Sequence, residues 1–335
     1  MLLIADGNNL AWAGFHALRR PMGADTPEKL TRAALLGLSQ SVLGLVARGG
    51  AAPGSRGEAV TALAVAFDEG RPLRRRSIFP GYQLGRENNP SFMEYERFVL
   101  EGIAQFSELA ACLPVTVLRG KNTEADDLVA ALTLQTPGPV RIASTDRDFL
   151  QLVDERVTVY SPVKRLLVTV ANFRDVSAPT DSAGAAARFP RERYLDYRAA
   201  SGDASDDLPG IAGVGPLTAA RLLAQARMEE YFTAPRLATR ALGRRQIRLE
   251  AALASGEART VFERNRELMD LRAAAGRFPS LEEYTTRGAW DEGAFRTWVK
   301  EQRIAGGEIE GTARALATIA GEHPGGPTGQ GRLLE

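Results

Sequence analysis

Three short apolar runs in the first 150 residues end on an aspartate. Leu2–Ala5 runs into Asp6, Val60–Phe67 into Asp68, and Val140–Ala143 into Ser144-Thr145-Asp146. Apolar runs this short, bounded by turn residues, read as strands buried on both faces, and strands of that kind belong in a parallel sheet. Val115–Leu118 reads as a fourth strand. Between the strands, Thr31–Ala47, Met93–Leu113 and Glu124–Leu134 carry helical spacing. The alternation predicts an α/β fold with a mainly parallel central sheet flanked by helices. In open sheets of this type the ligand crevice lies outside the carboxyl ends of the strands, where the three aspartates fall.

Further carboxylates join them. Glu124 and Asp127 lie three apart and share a helix face, with Asp126 beside them. A helix N-terminus favours acids by itself, so this cluster alone also reads as an ordinary helix start, and each strand-end aspartate alone as a cap. Asp146-Arg147-Asp148 adds a second acidic step. Carboxylates gathered at one crevice repel one another, and a hard divalent cation with oxygen ligands is the group that holds them together. The set predicts metal-assisted chemistry on a phosphate-bearing substrate.

The second half changes character. After the small-residue stretch Ser177–Ala187, a linker by composition, strand patterns stop. Arg191–Ser201 has helical spacing and leads through Gly202–Gly210 into Ile211-Ala212-Gly213-Val214-Gly215-Pro216 and an Ala/Leu-rich helix. Glycines around one apolar residue, with Pro at the helix start, make a tight hairpin whose amides suit a phosphate. A plain helix–turn–helix corner is the other reading. Glu282–Arg303, with Trp290, Phe295 and Trp298, is expected to pack on this second domain, and Gly321–Glu335 to form a flexible tail.

Net charge is +1, so no global basic signature marks a nucleic-acid binder. Four lysines stand against 38 arginines, a bias that a GC-rich genome also explains. The single Cys112 excludes an internal disulfide and fits a reducing compartment. No apolar stretch reads as a membrane span and no basic leader precedes Leu2, so the expected location is the cytosol, bacterial or, for a phage protein, that of the host.

Five stretches, in order, resemble the 5′-nuclease family: the 5′→3′ exonuclease domain of bacterial DNA polymerase I, its stand-alone phage relatives and the flap endonucleases. They are Leu3–Leu10, Phe67–Arg86, Glu124–Ala131, Ser144–Val153 and Ser201–Leu223. The resemblance implies a PIN-like nuclease core over residues 1–188 with a helical arch at about 80–110. It implies a helical DNA-binding domain over 189–303 with a helix-hairpin-helix at 201–226, and a tail over 304–335. It implies hydrolysis of phosphodiester bonds in DNA bearing a 5′ end or flap, RNA primers included, by two Mg²⁺ ions, with Mn²⁺ as a substitute. Asp6, Asp68, Glu124, Asp126, Asp127, Asp146, Asp148, Asp203 and Asp206 would form the metal cluster, and none of the nine is replaced. Arg75, Arg76, Tyr82, Gln83, Arg86, Gly213, Val214, Gly215 and Thr218 would contact DNA, Arg86 also in catalysis. Ile211, Gly213 and Gly215 would hold K⁺ through their carbonyls. No polymerase sequence follows, so the implied form is a stand-alone monomer, with a replicative polymerase as an expected partner and no membrane.

The departures lie on the basic side. Gln83 and Leu217 stand where the family carries lysines, and Glu87, Glu94, Glu96 and Glu101 make the expected arch acidic. Tyr82 is the expected base-stacking residue; Phe92, Tyr95, Phe98 and Phe106 read mainly as packing. The lost charge at Gln83 leaves a second reading: a catalytically weak DNA-binding accessory protein of the same fold. An RNA-directed nuclease is a third.

Overall fold

The computed structural model describes residues 1–51, 57–242, 247–304 and 308–321. Its centre is a seven-stranded sheet. In chain order the strands are β1 (Leu2–Asp6), β2 (Ala62–Phe67), β3 (Thr116–Arg119), β4 (Val140–Ala143), β5 (Val157–Ser161), β6 (Leu166–Val168) and, far downstream, β9 (Thr285–Arg287). Their spatial order is β6-β5-β4-β1-β2-β3-β9. The five inner strands are parallel and the two edge strands, β6 and β9, antiparallel. A two-residue ladder, β7 (Gly202–Asp203) with β8 (Leu208–Pro209), lies outside the sheet. The four strands expected from sequence all form, in the expected α/β arrangement.

Alternation along β1 sorts the core into two layers. Leu2 and Ile4 face helix α6 (Ala125–Gln135) and the helical half of the molecule. Leu3 and Ala5 face α1 (Gly7–Leu18), α2 (Pro27–Ala47) and α5 (Pro90–Ala111). The short helices α3 (Leu73–Ile78) and α4 (Leu84–Glu87) come between β2 and α5 in the chain. Helix α2 is long and apolar enough to cross a membrane, against the expectation from sequence. Nevertheless 72% of its apolar window is buried, so it serves as a core helix. The helical half comprises α7 (Phe173–Ser177), α8 (Tyr194–Ser201), α9 (Pro216–Gln225), and α10 to α14 over Met228–Thr233, Arg236–Leu242, Ile247–Ala254, Gly256–Met269 and Leu271–Ala275.

Two expectations are corrected. The chain after Leu281 does not pack on the second domain but returns to the first. Strand β9 extends the sheet beside β3, pairing Thr116 with Arg287. The amides of Gly288, Ala289 and Asp291 donate to the carbonyls of Val115, Ala111 and Cys112. Phe295, on α15 (Glu292–Glu301), is buried in the α1–α2–α5 layer, and α16 (Glu308–Ile319) packs on α2, within the segment expected to be tail. A three-residue edge strand is too short to leave a periodic signal. The rest of the expected tail, 305–307 and 322–335, falls outside the described residues. The segment expected to form an arch, about 80–110, is in part core. Helix α5 buries Phe98, Val99, Gly102, Ile103 and Phe106 in the core, and in its first turns Phe92 stacks on Trp12 and Tyr95 packs on Phe15.

Helices α1 and α2 touch backbone to backbone where Gly14 meets Gly37. A methyl added at either would lie 2.4 Å from the other's carbonyl carbon. Gly37→Ala is therefore expected to destabilise the protein by about 1–3 kcal/mol, the cost of overpacking a dense core, read as a lower urea midpoint.

Candidate active site

The carboxylates converge at the carboxyl ends of the parallel strands. Asp6 ends β1 and caps α1, accepting from the Asn9 amide at 3.1 Å and from Ser144 Oγ at 2.7 Å. Asp68 follows β2, and its Oδ1 accepts from the Ala125 amide at 2.7 Å, tying the second strand to the start of α6. Two asparagines that the sequence reading passed over brace these loops. Asn8 Oδ1 accepts from the Asp68 amide at 3.0 Å, and Asn9 Oδ1 from the Thr145 amide at 2.9 Å. Asp146 and Asp148 follow β4, linked by a 2.7 Å bond from the Asp148 amide to Asp146 Oδ1. Asp203 and Asp206 come from the helical half, the first ending β7 and the second on the turn that leads to β8. Carboxylate oxygens of Asp148, Asp203 and Asp206 lie within 4.8 Å of one another.

Their electrostatics show the crowding. Burial pushes Asp6 up to about 7, with Asp68 and Asp146 adding to the rise against the hydrogen bonds from Ser144 and Asn9. Burial likewise raises Glu124 to about 7 and Asp148 to about 6, against the pull of Arg75 and Arg198 respectively. Asp126 is driven well up by burial and by Asp146, Asp6, Asp68 and Glu124. Asp146 and Asp206 rise chiefly through burial, as does Asp68 at the open edge of the group. Asp203 is held low: burial opposes ionisation there, but Arg198 and the Ser205 hydrogen bonds outweigh it. An oxygen-only donor set under this mutual repulsion fits a hard divalent cation.

Three arginines partition the cluster. Arg198 bridges Asp148, at 2.7 Å, and Asp203. Sequence reasoning missed it, although it lies five residues before Asp203 on a helix that reads cleanly. Arg86 donates to Asp206 at 2.9 Å. Arg75 sits between Glu124 and Asp127 while its Nε donates to the Leu268 carbonyl at 2.9 Å.

Several of the expected site residues make further contacts in this structure. Asp127 is bound by Arg75 at 2.8 Å and by Arg277 at 2.6 Å, so it is an ion-pair anchor and the other eight carboxylates form the open cluster. Arg75 is 5% exposed and braces the acids from within. Tyr82, also 5% exposed, donates its hydroxyl to Glu124 at 3.1 Å and has no face free for a base. Arg76 is engaged by Glu87 at 2.7 Å and by the Tyr82 carbonyl. Gln83, in the left-handed region at φ 55°, donates its side-chain amide to Asp206 at 2.9 Å. Gly213 (φ 77°) and Gly215 are exposed, Ile211 and Val214 are buried beneath them, and Thr218 is half-buried in the first turn of α9. The Ile211 carbonyl accepts from the Val214 amide at 2.9 Å, closing the turn, and the Gly215 carbonyl from the Ala219 amide.

The family profile described as the 5′-3′ exonuclease N-terminal resolvase-like domain matches residues 1–178. The chain belongs to the 5′-nuclease family. Among curated relatives, Mycobacterium bovis DNA polymerase I is 34% identical over 227 residues, covering 67% of this chain and 23% of the polymerase. Thermus aquaticus thermostable DNA polymerase I is 31% identical over 225 residues, 66% of this chain and 23% of that protein. The chain thus spans about a quarter of the length of these relatives. Among solved structures, T5 5′-exonuclease with bound zinc ions superposes with a TM-score of 0.62 at 18% identity, covering 90% of this chain and 98% of that one. The Rad2 catalytic core with a DNA substrate gives 0.51 at 13%, covering 95% and 92%. At these identities the likeness is one of fold, a PIN-like nuclease core.

Adjacent residues of the acidic helix should respond oppositely to neutralisation. Asp126→Asn removes repulsion, so it should raise the melting temperature of the cation-free protein and weaken Mg²⁺ or Mn²⁺ binding. Asp127→Asn breaks a buried ion pair and should cost roughly 3–5 kcal/mol of stability while cation binding persists. Thermal unfolding with and without cation separates the two. pH gives an independent check. The raised carboxyls titrate higher in the folded protein than unfolded, so folding takes up protons between about pH 4 and 7. Their contribution to the cation-free protein is therefore lost as pH rises through that window. The melting-temperature gain on adding divalent cation should grow from about pH 5 to 7.5, because ionised carboxylates bind it without displacing protons.

Proposed function

We propose that this protein is a divalent-metal-dependent 5′ nuclease that hydrolyses phosphodiester bonds of DNA bearing a 5′ end or 5′ flap, with two Mg²⁺ ions as its cofactor. The observation that carries the reading is the convergence of eight carboxylates from both halves of the chain on one crevice. They fall into two groups: Asp6, Asp68, Glu124 and Asp126 on the sheet side, and Asp148, Asp203 and Asp206 on the helical side, with Asp146 between. When bound, divalent cations at such a site neutralise the scissile phosphate and activate the attacking water.

The chain's own residues set the stage for that chemistry. Ser144, Asn8 and Asn9 fix the strand-end loops. Arg75 and Tyr82 hold Glu124 from behind. Arg86, half-buried on Asp206, is the cation placed to move onto a substrate phosphate, since its bidentate fork suits one. Gln83 supplies a neutral donor beside it and orients Asp206. The Leu217 and Thr218 amides at the start of α9, with exposed Gly213 and Gly215, would hold the duplex backbone irrespective of sequence. K⁺ on the hairpin carbonyls would add a positive charge beside them. Similarity to DNA polymerase I supports a role next to a polymerase, in flap or primer removal.

The test is digestion of a labelled 5′-flap DNA with Mg²⁺. Wild type should release products cut near the flap base, and Asp146→Asn should lose at least about 10²-fold in rate, as expected when several kcal/mol of metal stabilisation is removed. An undiminished mutant would refute the metal assignment, and an inactive wild type that still binds flap DNA would make the chain an accessory protein. Faster cutting of an RNA flap would redirect the substrate assignment. Gln83→Lys restores a charge beside Asp206 and should raise the single-turnover rate; an unchanged rate would leave Gln83 with an orienting role only.

A further inference from the structure

Most arginines near the crevice are already committed. Arg75, Arg86, Arg198 and Arg277 lie on carboxylates of the acidic group, Arg76 on Glu87 and Arg74 on Glu267. Arg119 is different. It is the last residue of β3 and the ladder partner of Phe67, the residue before Asp68. Its Nε is buried without a partner, and no hydrogen bond or ion pair reaches its guanidinium among the described residues.

The surroundings hold this guanidinium ready. Its carbon lies 5.0 Å from the centre of the Phe67 ring. Phe67 is fully buried and wedged beside Gly7, where an added Cβ would meet the ring at 2.3 Å. Stacking on a fixed ring orients the plane and leaves the N–H edge for a bidentate anion. The loop that follows stays beside the metal aspartate, because the Glu69 amide donates to the Thr123 carbonyl at 3.3 Å. Lys121, exposed in that loop, adds positive charge to the same lip.

We propose that Arg119 is a phosphate contact for a nucleic-acid strand on the β3 side of the carboxylate cluster. The proposal rests on the nuclease reading, and nothing in the sequence motifs points to this residue. The terminal N–H groups of the guanidinium, which unlike its Nε are not enclosed, would donate to a phosphodiester oxygen while the Phe67 ring backs the side chain.

Binding of labelled 5′-flap DNA, measured by anisotropy across a salt series in Mg²⁺ on an Asp146→Asn background, tests it. Loss of one phosphate contact lowers the log–log salt slope by about 0.9, so the affinity penalty of Arg119→Gln should shrink about threefold between 50 and 200 mM salt. Arg119→Lys should keep the slope. Arg119→Met retains an apolar stem over Phe67 and should show the same lowered slope if the glutamine variant does not fold. A purely structural role would leave the slope at its background value, and that result overturns the proposal. If the background protein itself shows no salt-sensitive DNA binding, the nuclease reading fails first, a result distinct from failure of Arg119 alone.

Discussion

Repulsion among carboxylates governs the architecture around the crevice. Eight acids share one small volume, and in a low-dielectric setting like charges a few ångströms apart cannot all ionise without a counter-charge. The protein answers with arginines placed at the margins. Arg198 takes Asp148 and Asp203, Arg86 takes Asp206, and Arg75 takes Glu124. Among the described residues no arginine forms an ion pair with the central residues Asp6, Asp126 and Asp146, although the charge of Arg198 acts on Asp146 from farther off. Positive charge is thus supplied at the rim and withheld at the centre, leaving the interior to a cation with oxygen ligands.

Asp127 shows how finely that division is drawn. It neighbours Asp126 on the same helical turn, yet α6 points the two side chains apart, one to the crowded centre and the other to Arg75 and Arg277. One carboxylate is spent on fixing the helix start so that the next can face the crevice. Tyr82 and Gln83 play a related part. Residues expected on the DNA side are drawn inward onto Glu124 and Asp206, where a hydroxyl and an amide satisfy acceptors without neutralising them.

The strand-end aspartates and the acidic helix start were legible in the sequence, because buried parallel strands read as short apolar runs and the crevice of such a sheet has a fixed place. What the sequence hid has physical reasons. Strand β9 is three residues long at a sheet edge, and β6 is no longer. Arg75 and Arg76 are chemically identical neighbours, and only the tertiary fold decides that one is buried between acids and the other lies against Glu87. Among 38 arginines, composition could not single out Arg198, Arg277 or Arg119. Such roles depend on which carboxylate each guanidinium reaches, a long-range fact with no local periodicity.

The motif-free region beyond the hairpin is tied to the site by specific bonds. The Leu268 carbonyl receives Arg75 Nε at 2.9 Å, and Arg277 reaches Asp127 at 2.6 Å. Gln151, just after the Asp146–Asp148 step, donates to the Met269 carbonyl at 2.9 Å and accepts from the Leu271 amide at 3.0 Å. The junction of α13 and α14 therefore touches the backs of both acidic segments, Glu124–Asp127 and Asp146–Asp148. A shift of that junction would move Arg75 and Gln151 together, and with them the carboxylates in front. Spacing within the acidic cluster is consequently set by both halves of the chain at once, and residues 268–277 belong to the positioning machinery although no catalytic motif runs through them.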